Sequence, residues 1–168
     1  MMSKIEELIN KLCPNGVNYK PLEELVIKNP KSKIGARIAE NMPTGNIPFF
    51  TSGKNTYYIN EFLVDGENIF VNDGGNADFK YYLGKSNYAD HVISLKAQNI
   101  NGRFLFHCLM RMKDFVNENY FRGSGIKNIN KKGFFSMLLP VPPLEVQCEI
   151  VHILDDFTLL SALLSALL

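Results

Sequence analysis

The chain has no tryptophan, and only three cysteines and three histidines among 168 residues. Cys13, Cys108 and Cys148 are odd in number and lack paired spacing, which excludes a disulfide framework and points to reduced thiols in a cytoplasmic protein. His91, His107 and His152 are equally scattered, so no stretch carries the spacing of a zinc site, and no metal or cofactor is expected. Long polar or charged tracts are also missing. At 46% hydrophobic and 21% charged residues the composition excludes global disorder, and the length suits one domain with its own core. Positive charge is scarce, at a net +1. That excludes a protein coating nucleic acid through bulk charge, so any DNA contact must come from local clusters. Met1 to Leu12 mixes charged and apolar residues, so no secretory leader is expected. The apolar run at the C-terminus, about ten residues, is half a bilayer crossing, so no membrane partner is expected.

Ser3 and Glu6 fit a capping box that opens a short helix with Ile5, Leu8, Ile9 and Leu12 on one face. Pro14-Asn15-Gly16 ends it in a turn, and Pro21 to Lys28 reads as a second short helix or turn. Between Asn46 and Leu95 the pattern changes. Ile47–Phe50, Tyr57–Ile59, Asn68–Val71, Tyr81–Leu83 and Val92–Leu95 are aromatic and β-branched runs separated by Gly, Asn, Asp and Ser, and each predicts a strand. Leu105, Cys108, Leu109, Met112, Phe115 and Val116 then recur at helical spacing, predicting one helix over Asn101–Asn119. Gly123-Ser124-Gly125 breaks the chain, and Phe134–Val141 reads as a last strand.

Pro142 and Pro143 end that strand, because proline fixes φ and cannot donate to a sheet. A long helix is predicted over Leu144–Leu168. Ile150, Ile153, Phe157, Leu160, Leu164 and Leu167 alternate three and four apart along it, a seam suited to another helix. The tail repeats every fourth residue (LLSALLSALL), so its apolar surface winds and widens around the rod. Such a helix either packs on its own domain or joins a second copy. Its reach, about 35 Å at about 1.5 Å per residue, favours the second copy.

The junction Leu139-Pro140-Val141-Pro142-Pro143-Leu144-Glu145, with Gln147, Ile150, Val151 and Leu154, resembles the passage from recognition domain to spacer helix in specificity subunits of type I restriction–modification systems. The opening LCPNGVNYKPLEEL, the stretch Asn46–Gly53 and the stretch Gly123–Ile129 are similar to that family in the same order. The resemblance implies an α/β (α+β) fold. A target-recognition domain with a twisted mixed sheet and flanking helices would occupy residues 1–143, and a spacer helix residues 144–168. It implies sequence-specific binding to double-stranded DNA, with methylation and cleavage left to partner methyltransferase and restriction subunits. Members of the family carry two recognition domains and two spacer helices in about twice this length. One of each here implies a half-subunit that pairs as a homodimer through a coiled coil and reads a split site. The family's spacer helix is also longer and more charged on its outer face than this tail.

Candidate DNA contacts follow from the chemistry of phosphates and base edges, which need cations and hydrogen-bonding side chains. Arg122, Lys127, Lys131 and Lys132 form an acid-free run with Ser124, Asn128 and Asn130 between them, and Asn can pair bidentately with adenine. Thr51, Ser52, Lys54 and Asn55 form a polar loop after an apolar strand. Asn72 and Asn76 flank a glycine pair that permits close approach to a backbone or simply closes a hairpin; Lys80 and Lys85 follow. Lys28, Lys31, Lys33 and Arg37 form a second basic cluster. A solvated basic surface is the alternative for each cluster; the first run favours DNA contact and the second the solvated surface. The tyrosines at 57, 58, 81, 82 and 88 suit a strand face better than base stacking.

Two other function classes stay open. Asp78-Phe79-Lys80, with Asp65 upstream, has the spacing of a metal-dependent nuclease in which two carboxylates hold magnesium and a lysine orients water. A helical interaction protein without base readout would use the tail alone. Phosphate-binding loops, catalytic triads and methyltransferase motifs are not found in the sequence.

Overall fold

The structure is a computed structural model, and it describes residues 2–167. Ser3 accepts from the Glu6 amide while Glu6 reaches back to the Ser3 amide, so the expected capping box opens α1 (Lys4–Leu12). Gly16, at φ 90°, completes the turn into β1 (Asn18–Pro21). The Pro21–Lys28 stretch divides into α2 (Leu22–Leu25) and β2 (Val26–Lys28), and α3 (Ala36–Glu40) follows. The five expected strands all form, as β3 (Ile47–Phe50), β4 (Thr56–Ile59), β5 (Glu67–Asn72), β6 (Phe79–Leu83) and, after the short β7 (Asn87–Tyr88), β8 (Val92–Ala97).

The expected single helix is two helices, α4 (Gly102–Arg111) and α5 (Lys113–Tyr120). Met112, at φ −95° and ψ 9°, leaves helical geometry between them, and this turn lets Leu109 and Val116 enter the same core. The hairpin β9 (Phe121–Arg122) and β10 (Asn128–Ile129) follows. The expected strand from Phe134 begins later. Asn130 accepts from the Gly133 amide and caps α6 (Lys131–Phe135), so Phe134 and Phe135 are helical and the strand is β11 (Leu138–Val141). It pairs with β1 and ends at Pro142, where α7 (Leu144–Leu167) begins.

The central sheet has the order β2-β8-β5-β6, all antiparallel. The second sheet, β4-β3-β7, combines an antiparallel and a parallel pair. The sheets are therefore mixed, as expected. β5 is buried on both faces and separates two cores. Ile69 and Val71 face one core with Leu105, Leu109, Phe134 and Leu139, while Phe70 faces the other with Phe49, Phe50 and Tyr88. Phe70 stacks on Phe50 at 4.5 Å between centroids.

The base of α7 packs between α1 and α4. Val146 and Gln147 are buried there; Gln147 donates to the Pro142 carbonyl and accepts from the Asn101 amide. From Asp156 to Leu167 every residue is exposed. Leu168, the last residue expected in the helix, lies outside the described residues. Among those residues α7 alone is long and apolar enough to cross a membrane by length and composition, so the expected apolar run of about ten residues understated it. Asp155 and Asp156 stand in its middle, however, and Asp155 is ion-paired to α4, which fits a helix lying partly on its own domain.

Candidate nucleic-acid interface

Three loops meet at one end of the central sheet: residues 51–55 between β3 and β4, residues 73–78 between β5 and β6, and residues 123–127 between β9 and β10. Asn72 at the end of β5 carries the first seam. Its side-chain amide donates to the Ser52 carbonyl at 2.9 Å and to the Asn76 carbonyl at 3.1 Å. Lys80 reaches back from β6 and donates to the carbonyls of Thr51 at 2.8 Å and Gly53 at 3.1 Å. The second seam is main-chain. The Gly75 amide donates to the Lys127 carbonyl at 2.8 Å and the Ile129 amide to the Asp73 carbonyl at 2.9 Å. Gly75 stands at φ 82°, a conformation that glycine adopts without strain. Lys131 closes this seam with a 2.9 Å ion pair to Asp73.

The side chains left facing outward are Ser52, Lys54, Asn55, Asn76, Ser124, Lys127, Asn128 and Lys132. Arg122 is exposed too, with its guanidinium donating to the Glu118 and Phe121 carbonyls at the end of α5. Four of the expected contacts are placed differently. Lys80 is spent on the Thr51 and Gly53 carbonyls and on Asp78 and does not face outward. Thr51 is buried; its hydroxyl donates to the Asn55 carbonyl and accepts from the Gly53 amide, so it shapes its loop. Asn72 is buried and fully used in the seam just described. Lys85 lies beyond the opposite end of β6, its ammonium 4.7 Å from the Phe62 ring centre, and does not share the face.

The second basic cluster is joined to the first. A pocket of about 160 Å³ is lined by Lys28, Lys31, Asp73, Asp90, Lys131 and Phe135, among others. Lys28 holds its ammonium 3.6 Å above the Phe135 ring centre. Nothing local in the sequence announces this meeting: β2 reaches β8 by pairing across the sheet, and α6 covers the end of that pair.

The nuclease geometry is not formed. Asp65 and Asp78 lie at opposite ends of the β5–β6 hairpin, about 20 Å apart at about 3.3 Å per residue. Asp65 accepts from the Gly66 amide. Asp78 is held by Lys113 at 2.7 Å and Lys80 at 3.5 Å. Burial alone would raise the Asp78 carboxyl, but hydrogen bonding and charge from Lys113 and then Lys80 hold it below the usual carboxylate range. Among the described residues no group of His, Cys, Asp and Glu is arranged to hold a metal ion. Burial pushes the Cys108 thiol up to about 11, which leaves no reactive thiolate there.

Residues 14–168 match the family described as type I restriction modification DNA specificity domain. The chain belongs to this family. It is 30% identical over 155 residues to a type I restriction enzyme specificity subunit of Haemophilus influenzae, covering 87% of this chain and 38% of the relative. It is 32% identical over 103 residues to the type I restriction enzyme MjaVIII specificity subunit of Methanocaldococcus jannaschii, covering 58% of this chain and 24% of the relative. The type I restriction–modification S subunit of M. genitalium shares the fold, with a TM-score of 0.68 at 18% identity over 86% of this chain and 40% of that one. The chain thus spans well under half the length of these relatives.

Proposed function

We propose that this chain reads DNA sequence for a type I restriction–modification complex. It works in the cytoplasm as a half-subunit without catalytic residues, directs methyltransferase and restriction subunits to the site, and pairs with a second copy through α7. The observation that carries the reading is the lacing of the three loops into one rigid face. That face presents Lys54, Lys127 and Lys132 for phosphates, and Asn55, Asn76 and Asn128 for base edges. A reader gains from loops ordered before binding, because ordering them on binding costs affinity. Here the backbones of the three loops are held within the fold by Asn72, Lys80 and main-chain bonds.

The pairing rests on α7. Phe157, Leu160, Leu164 and Leu167 are 59–83% exposed. Ile153 is exposed as well, whereas Ile150 is half-buried and lines a groove against α4. An apolar face of this extent on a free helix favours association in water. Two copies related by a two-fold axis would read a split, symmetric site.

The test is selection of duplexes from a random pool by the purified chain, alone and with its methyltransferase partner. Enrichment of one split motif supports the reading, and a pool that stays random under both conditions overturns it.

A further inference from the structure

A rod has a defined direction only when it is held at two separated points. The first hold on α7 is its base, where Val146 and Gln147 are buried. The second lies two turns further on. The Asp155 carboxylate accepts from Arg103 through Nε at 3.1 and 3.2 Å and Nη2 at 3.0 Å, and contacts His107 Nε2 at 2.8 Å. Arg103 is fixed in turn: its guanidinium lies 4.6 Å from the Tyr81 ring centre and 5.2 Å from that of Phe106. Tyr81 donates its hydroxyl to Glu67 at 2.6 Å. Burial and that bond push the Tyr81 hydroxyl up to about 12, so it stays a donor at every working pH. The chain Glu67–Tyr81–Arg103–Asp155 therefore runs from β5 through β6 and α4 to α7.

We propose that this clamp sets the angle at which α7 leaves the recognition domain, and thereby the separation of the two half-sites that a pair of copies accepts. The proposal rests on the reading of the chain as a paired DNA reader. Arg103, His107 and Asp155 are positioning residues in it; none of them belongs to the laced loops. Asp155 is the last residue of α7 with a side-chain partner in the domain, and from Asp156 onward every described residue is exposed. The free arm is about 18 Å long at about 1.5 Å per residue. A swing of about 10° at the clamp moves its tip by about 3 Å, close to the rise of one base pair, about 3.4 Å. Loss of the clamp thus changes spacing by whole base pairs while the reading loops stay as they are.

The experiment is duplex selection from a pool with a random spacer length, comparing the wild-type chain with Asp155→Ala and, as a second variant, Arg103→Gln. Thermal melting establishes that each variant is folded. The expected result is one spacer length for wild type and a spread over two or more neighbouring lengths for the variants, with half-site motifs unchanged. A single, unchanged spacer length in both folded variants overturns the clamp and leaves the DNA-reading proposal standing. A wild-type chain that enriches no split motif overturns both. Altered half-site motifs in the variants also overturn the clamp, because they show damage to the reader itself.

Discussion

Lys131 and Asp73, 58 residues apart in sequence, meet in an ion pair of 2.9 Å at the centre of the candidate DNA face. The pair joins α6 to the loop after β5. It also places a carboxylate, with Asp90 nearby, in the pocket that Lys28, Lys31 and Lys131 line. Asp73 is the wrong charge for a phosphate neighbour and the right one for holding Lys131 still before DNA arrives.

Removing the carboxylate has a defined consequence. Asp73→Asn frees Lys131 and removes a repulsive charge from the face. Binding to duplexes of any sequence tightens, and the salt slope steepens by about one. Lys127→Ala with Lys131→Ala does the reverse. It weakens all sequences alike and flattens the slope by about two. Anisotropy titrations over a range of salt concentrations check both, and an unchanged slope in the double variant removes this strip from the interface.

Asn128 and Asn72 separate reading from building. Asn128 is exposed at the rim of the hairpin, bonded only weakly to the Ile126 carbonyl at 3.4 Å. Asn128→Ala relaxes the preference at one base pair by about 1–3 kcal/mol and leaves stability unchanged. Asn72→Ala strands the Ser52 and Asn76 carbonyls and costs about 1–3 kcal/mol of stability. Melting curves and binding to single-mismatch duplexes distinguish the two.

That contrast marks where sequence reasoning reached and where it stopped. The strands around Phe49, Ile69 and Val92 were legible because aromatic and β-branched runs between turn residues have few other uses. Phe134 was misread for the same reason: its aromatic run resembles a strand, and a five-residue helix has no period to betray it. Only the Asn130 cap signalled the helix. The polar loops were legible as loops. Which polar residue builds a loop and which faces out depends on burial, so Thr51 and Asn72 looked the same as Ser52 and Asn76. Lys85 was grouped with Lys80 by proximity, yet β6 carries them to opposite ends of the sheet. The seam on α7 was legible from its spacing, whereas the Asp155 clamp needs Arg103 brought alongside from α4.

The tail of α7 gives a clean separation of assembly from folding. Leu160 and Leu164 are each about 60% exposed and touch no core. Leu160→Asp with Leu164→Asp leaves the domain folded, since exposed sites away from packing contribute little to the single copy, and the melting temperature loses the dependence on protein concentration that pairing confers. The double variant abolishes pairing, because two carboxylates would have to be buried in an apolar seam without partners. Sedimentation velocity gives the answer, and a variant that still sediments as a dimer rules out α7 as the contact.

Asp78 makes the stability of this end of the sheet depend on acid. Its carboxyl titrates below the usual range in the folded chain and near about 3.9 when unfolded. The unfolded state therefore binds its proton first as pH falls. The stabilisation from Lys113 and Lys80 is fully present above the unfolded value and is lost as pH drops through the lower folded value. Asp78→Asn removes that dependence: the variant melts earlier than wild type at pH 7, and the gap closes as pH falls through the lowered folded value. Melting temperatures taken from pH 7 down to pH 2 check this, and a gap of constant size across the range means that the two lysines do not stabilise the charged form.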